Sequence, residues 1–198
     1  MSYHEHLAKD KKLAKVLING PLTLKKEKQV YLHLCGSIMS QQLSTKVAAV
    51  IWSRFLDLYE DRSPTPEQIL ATPVETLRAI GLSNAKALYI RNVATFALEH
   101  GMEWNQLNNM TDEEVIIHLT QIKGVGRWTT EMLLMFALGR EDVFAIDDLG
   151  IQQAMIKIYK LDNSDKKAFK EKMMRIALKW SPYRTYACLH LWRWKDVP

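Results

Sequence analysis

The chain has 198 residues, 47% of them hydrophobic and 25% charged, and its 27 Lys and Arg against 22 Asp and Glu give a formal net charge of +5. A chain of this length buries roughly 70% of the surface it exposes when unfolded, enough for one domain or two small lobes around a cleft. Eight Gly and six Pro are too few for a disordered or collagen-like chain. No apolar run approaches the ~18 residues of a membrane helix, and the start, MSYHEHLAKDKK, lacks the apolar stretch of a signal peptide. A soluble intracellular protein with no membrane partner is expected. Cys35 and Cys188 are the only cysteines, which excludes a disulfide framework, a four-thiolate zinc site and a four-cysteine iron–sulfur cluster.

The basic excess is uneven. Residues 9–28 carry seven lysines against Asp10 and Glu27, and residues 157–179 carry eight basic against three acidic side chains. This suits either solvated helix faces or a polyanionic partner.

Apolar residues recur at helical spacing nearly throughout, so the class is all-α. In chain order, residues 30–60 hold two helices with a break at Ser40-Gln41-Gln42. Thr65-Pro66-Glu67-Gln68 and Thr72-Pro73-Val74-Glu75 each combine a cap residue, a first-turn proline and a Gln or Glu three residues after the cap, predicting two short helices. The second ends at Gly81, and Asn84 to His100 forms the next. Thr111-Asp112-Glu113-Glu114 is another capping box, opening a helix to Gln121. Lys123-Gly124-Val125-Gly126 then breaks the chain, and Arg127 opens a longer helix ending near Gly139. Residues 142–146 are too short to assign. Asp147-Asp148 has the composition of an N-cap for a helix from Leu149 to Tyr159. Ser164 is expected to cap a helix whose Phe169, Met173, Ile176, Ala177 and Trp180 share one face. A last helix runs from about Tyr183 to Trp194.

The G-V-G hairpin at 124–126 presents bare backbone N–H groups at a helix start, which suits a phosphate. Taken alone, G-x-G equally describes a plain turn between packed helices. In context, I-K-G-V-G-R-W-T followed by V-F-A-I-D-D resembles the helix-hairpin-helix DNA glycosylase superfamily, and within it the DNA-3-methyladenine glycosylase branch. Twenty residues separate Trp128 from Asp148, a spacing like that of the alkylbase members. Ile38-Met39-Ser40-Gln41-Gln42-Leu43-Ser44 and Trp180-Ser181-Pro182-Tyr183-Arg184-Thr185-Tyr186-Ala187, continuing to Trp192, resemble further segments of that branch. The matches run in order from about residue 30 to Trp194.

The resemblance implies a two-lobed, all-helical unit spanning residues 1–198, without the N-terminal β domain of larger bacterial members. Lobe a is expected at about 30–110, with residues 1–29 and the C-terminal segment packing across it. Lobe b is expected at about 111–198, holding hairpin 120–130 and Asp148. A cleft between them would be lined by Trp128, Asp148 and Trp192. Asp148 is then the catalytic carboxylate: breaking an N-glycosidic bond builds positive charge on the sugar, which a fixed carboxylate stabilises. At a helix start the dipole favours its ionised form. Asp147 is left as the cap or as a neighbour that stabilises the hairpin. Read without the resemblance, the pair is simply a cap pair.

Trp128 stands where strand-cutting relatives carry a Schiff-base lysine, which implies a monofunctional enzyme. Trp128 and Trp192 become aromatic walls for a flipped cationic base, with Met132 replacing an aromatic found in some relatives. Gln42 matches the wedge that fills the gap in the duplex. Gly124, Gly126 and Thr129 become phosphate contacts. The carbonyls of Thr120, Ile122 and Val125 become ligands for a monovalent cation, Na or K, with no cofactor for catalysis and no iron–sulfur cluster. The expected partner is duplex DNA bearing a damaged base, bound by a monomer, in the cytoplasm if the source is bacterial and the nucleus if eukaryotic. The expected reaction is release of 3-methyladenine and 7-methylguanine in base excision repair. A glycosylase for another lesion, oxidised or mispaired, and a non-enzymatic hairpin module remain the alternatives.

Overall fold

A computed structural model of the chain describes residues 2–18, 20 and 22–196. Twelve helices are present among them: α1 Tyr3–Leu7, α2 Val30–Ser40, α3 Thr45–Leu56, α4 Pro66–Ala71, α5 Val74–Ala79, α6 Asn84–His100, α7 Trp104–Asn108, α8 Asp112–Leu119, α9 Arg127–Phe136, α10 Leu149–Tyr159, α11 Lys166–Ala177 and α12 Arg184–Asp196. Short 3-10 turns lie at Leu13–Val16 and Leu178–Trp180, and no strand occurs among the described residues. The all-α reading holds. No described helix is long and apolar enough to cross a membrane.

Compact contacts divide the chain into residues 26–133 and residues 1–25 with 134–198. This differs from the expected division near residue 110, which put the hairpin and Asp148 in one lobe. The hairpin groups with residues 26–133 because α6 holds it. Asn92 Nδ2 donates to the Lys123 carbonyl at 3.1 Å, and the Tyr89 ring lies against Gly124.

Within residues 26–133, α6 is the central element, packed against α2, α4 and α5. It buries Ala87, Ile90, Val93 and Ala94, and α2 buries Val30, Leu34, Cys35 and Ile38. Each large apolar side chain removed from water in this way contributes about 1.5–3 kcal/mol. Gly36 lets the Trp52 ring of α3 lie against α2, since a Cβ there would stand 3.3 Å from the ring. Burial pushes the Cys35 thiol up to about 12, so it behaves as an inert core group.

The predicted boxes at Thr65 and Thr111 are formed as reciprocal pairs, and Ser44 and Ser83 cap α3 and α6. Thr72 does not cap α5. Its hydroxyl instead donates to the Gln68 carbonyl at 2.9 Å and sits 2.9 Å from the Tyr59 hydroxyl, and Pro73 takes the cap position without a side-chain bond. Helix α7, unmarked by any capping signal, was not expected.

In the other unit, α10 packs against α12. The N-terminal segment, for which no helix was predicted, belongs here with α1. The Tyr3 ring stacks on Tyr186 with centroids 4.2 Å apart, and Ile18 N–H donates to His190 Nδ1 at 3.1 Å. The Asp10 carboxylate accepts from the Tyr159 hydroxyl at 2.7 Å and the Trp180 indole N–H at 3.1 Å. Burial alone would raise its pKa, but these bonds outweigh that and hold it below the usual range. Asp165, not Ser164, caps α11, accepting from Lys167 N and Ala168 N, while Ser164 donates to Asp162 at 2.9 Å. Two adjacent oxygens competed for one cap, and the carboxylate is the stronger acceptor.

Candidate active site and nucleic-acid interface

Asp148 is itself the N-cap of α10, with φ −71° and ψ 121°. Its Oδ1 accepts from Ile151 N–H at 2.8 Å and from the Trp192 indole N–H, also at 2.8 Å. Its own N–H donates to the Ala145 carbonyl at 3.2 Å. Two donors on one oxygen fix the carboxylate plane at the positive end of a helix dipole. Asp147, expected as the cap or as a neighbour that stabilises the hairpin, does not cap α10 and forms an ion pair with Lys170 Nζ. The cap geometry chooses between the two because only the residue immediately before Leu149 can reach the third N–H of the helix.

Gly150 is part of this arrangement, and nothing in the sequence reading pointed to it. A Cβ there would stand 3.1 Å from Asp148 Oδ1 and 3.1 Å from Trp192 Cδ1. Any side chain here would crowd both, so glycine gives the carboxylate and the indole room at the first turn of α10. Phe136 backs Trp192, with ring centroids 6.0 Å apart. A glycine in the first turn of a predicted helix, where the propensity cost is about 1 kcal/mol, was the available signal.

The segment before Asp148 is held by the start of α12. Arg184 donates through Nε to Asp142 Oδ1 at 2.7 Å and through a terminal nitrogen to Oδ2 at 3.0 Å, and Ser181 donates to Oδ2 at 2.7 Å. Thr185 Oγ1 donates to the Arg140 carbonyl at 2.7 Å and accepts from Val143 N–H at 3.0 Å. Burial raises Asp142, and Arg184 and Ser181 more than reverse it. The closing motif Trp180 to Ala187 therefore fixes residues 140–143, from which the chain enters the Asp148 cap.

The hairpin is built by turns. Ile122 N donates to the Leu119 carbonyl at 3.1 Å and Val125 N to the Ile122 carbonyl at 3.0 Å, while the Ile122 and Val125 side chains are buried. Gly124 has φ +105°, and a Cβ there would fall 2.3 Å from Tyr89 Cγ. Its glycine is required from inside, by the left-handed backbone and the tyrosine. Gly126 is different: it lies outside the positive-φ region and a Cβ would meet nothing within 4 Å. Thr129, on the first turn of α9, is only 4% exposed, and its Oγ1 accepts from Gln41 Nε2 at 3.3 Å. Arg127 is committed to Glu113 through two bonds at 3.0 and 2.8 Å and to the buried Glu131 at 3.2 Å.

Gln42 lies in the turn between α2 and α3, exposed, with φ +59°. Leu43 N–H closes the turn onto the Ser40 carbonyl at 3.1 Å, and Gln41 has φ −51° and ψ 132°. This is the dihedral pattern of a type II turn, whose third residue is normally Gly or Asn. A left-handed glutamine costs about 1–2 kcal/mol. Sequence reasoning located the break but not this strain.

Trp128 is 39% exposed on α9, and Met132 follows one turn later, half-buried. Both belong to residues 26–133, whereas Asp148 and Trp192 belong to the other unit. Of the expected residues, hydrogen bonds join Asp148 to Trp192 directly, and Thr129 to the Gln42 turn through Gln41. Among the described residues no group of three or more His, Cys, Asp or Glu is placed to hold a metal.

Residues 35–180 match the family model described as HhH-GPD superfamily base excision DNA repair protein. The chain belongs to this superfamily. It is 35% identical over 186 residues to the DNA-3-methyladenine glycosylase 1 of Schizosaccharomyces pombe, covering 92% of this chain and 80% of that one. Among solved members, the 3-methyladenine DNA glycosylase of the same yeast, in complex with abasic DNA, superposes with a TM-score of 0.84 at 32% identity, covering 98% of this chain and 96% of that one. A DNA-3-methyladenine glycosidase from Bacillus halodurans gives 0.83 at 34% identity, covering 97% and 88%. The superfamily match begins within α2 and ends at Trp180, so it contains the Gln42 turn, the hairpin and the Asp148 cap.

Proposed function

We propose that the chain is a monofunctional DNA glycosylase that hydrolyses the N-glycosidic bond of alkylated purines in duplex DNA, 3-methyladenine foremost and 7-methylguanine beside it, as the first step of base excision repair. The observation that carries this reading is the Asp148 carboxylate, held by Ile151 N–H and by Trp192, in a chain similar along most of its length to 3-methyladenine glycosylases.

The damaged nucleotide is turned out of the stack, and Gln42, already in its exposed left-handed turn, fills the gap and meets the orphaned base. A purine methylated at N3 or N7 is cationic and leaves as a neutral base without strong acid catalysis. As the C1′–N bond breaks, both its electrons go to the base, and positive charge develops on the sugar. Asp148 stabilises that charge and orients the water whose oxygen bonds to C1′ while its proton passes to solvent. Trp192 keeps the carboxylate in place, and Trp128 offers an exposed aromatic face for the cationic base. Tryptophan has no amine for a Schiff base, so the product is an abasic site with an unbroken strand.

Phosphate is bound at the hairpin by backbone N–H groups. Gly126, open on its outer side, allows close approach. Thr129, whose hydroxyl is engaged by Gln41, acts through its main chain. A monovalent cation would be held at the end of α8. Thr120 is its C-cap, and the carbonyls of Thr120, Ile122 and Val125 are hard neutral oxygens near the negative pole of that helix. A bound ion there would add positive charge beside the phosphate.

The test is incubation with duplex DNA methylated at purines, followed by chromatography of released bases and quantification of abasic sites. Release of 3-methyladenine in a one-to-one ratio with abasic sites, with no adduct trapped by borohydride, is expected. Persistent DNA binding without base release would overturn the enzymatic reading, and a borohydride adduct would overturn the monofunctional one.

A further inference from the structure

Lys86 occupies the third position of α6, where a cation faces the positive pole of its own helix and is locally unfavourable. Its ammonium crosses to the end of α2, donating to the Met39 carbonyl at 2.9 Å and the Gln41 carbonyl at 2.6 Å. Met39 lies in the last turn of α2 and Gln41 is its C-cap. The charge thus sits at the negative pole of α2, one residue before Gln42. Desolvation at this place lowers the Lys86 pKa. Gln41 is held a second time, since its amide donates to Thr129 at the start of α9.

Two locally disfavoured features therefore meet: a left-handed glutamine and a lysine in the first turn of a helix. Sequences break local rules in this way where function requires it. Fixing the Gln41 carbonyl fixes the peptide plane between Gln41 and Gln42, and that plane decides whether Gln42 remains left-handed or relaxes.

We propose that Lys86 is the positioning residue of the wedge turn. By clamping the carbonyls of Met39 and Gln41 it keeps Gln42 in the conformation from which the side chain enters the duplex. The Gln41–Thr129 bond ties the same turn to the hairpin helix. The proposal rests on Gln42 acting as the wedge, so the experiment separates the two.

Binding is measured by anisotropy to two duplexes, one intact and one carrying a tetrahydrofuran abasic analogue, for wild type, Gln42→Ala, Lys86→Met and the double variant. Loss of two charge-assisted bonds should weaken abasic binding about tenfold in Lys86→Met and intact-duplex binding less than about twofold. In the Gln42→Ala background, Lys86→Met should cost nothing further, because the clamp acts through Gln42. Lys86→Arg, which keeps the charge and the donors, should restore most of the discrimination. Lys86→Gln, which keeps one donor group without the charge, should fall between and provides a second reading if the methionine variant does not fold. Additive losses in the double variant, or equal weakening on both duplexes, would overturn the clamp. If Gln42→Ala leaves abasic binding unchanged, the wedge role fails. If Gln42→Ala weakens it and Lys86→Met does not, the clamp alone fails.

Discussion

Helices α9 and α10 begin in opposite ways. At α10 a carboxylate caps the first turn, a tryptophan braces the carboxylate, and a glycine makes room for both. At α9 the preceding residue, Gly126, carries no side-chain acceptor and faces open space. One helix start is capped by a carboxylate, and the other follows a glycine with open space beside it. The first arrangement suits a developing cation and repels phosphate. The second suits a phosphate and offers nothing to a cation. The same helix dipole would thus suit two different charges, depending on which residue precedes the helix.

The largest effect is expected at the base of the glycine start. Gly124→Ala places a Cβ against Tyr89 on a backbone with φ +105° and should cost about 3 kcal/mol or more of stability, read by urea unfolding. An undiminished midpoint would mean that the hairpin is not held from inside. At the capped start, Trp192→Phe removes the indole donor to Asp148 while keeping an aromatic ring. The rate of base release should fall about tenfold, the size of one lost hydrogen bond to a charged group. An unchanged rate would leave Trp192 with packing alone.

Gly126→Ala sharpens the contrast between the two hairpin glycines. Because nothing inside the protein meets its Cβ, the melting temperature should hold, whereas affinity for intact duplex should drop several-fold, within about 1 kcal/mol. Destabilisation with normal DNA affinity would reverse the assignment.

The smallest effect concerns acid. Burial, together with His4 and Arg193, lowers His190 to about 4, and its Nδ1 accepts from Ile18 N–H, which requires the neutral ring. The unfolded chain takes up this proton near its ordinary value of 6.5 and the folded chain only near 4. Stability contributed by the neutral histidine is therefore full above about pH 6.5 and is lost as pH falls toward 4. Asp10 and Asp142, whose folded values lie below the ordinary carboxylate range, lose their contribution only at lower pH. A His190→Gln variant should show a flatter stability profile between pH 6.5 and 4. An unchanged profile would assign the acid sensitivity elsewhere.

Much of the helical order was legible because local signals coincide there with tertiary packing, as at the Thr65 and Thr111 boxes and at α6. Reading failed where two nearby groups compete. Thr72 is drawn away by Tyr59 and Gln68, Ser164 by Asp162, and Asp147 by Lys170. Each competing partner is either a neighbour in sequence that bonds equally well or a residue that only the fold brings near. At the candidate site, Asp148, Trp192 and Gln42 were singled out from a motif, and the structure joins the first two by a hydrogen bond. Gly150, Tyr89 and Lys86 were not, because their surroundings depend on what neighbouring elements of the fold place against them. The contact division of the chain differs from the expected one, since the bond of Asn92 and the ring of Tyr89 group the hairpin with residues 26–133.

The most direct test of the capped helix start is Asp148→Asn. Asparagine caps a helix about as well as aspartate, so folding and affinity for abasic duplex should be retained. Under single-turnover conditions with methylated duplex, release of 3-methyladenine should fall by about 10² to 10³. A rate within a few-fold of wild type would contradict the assignment of the carboxylate to catalysis.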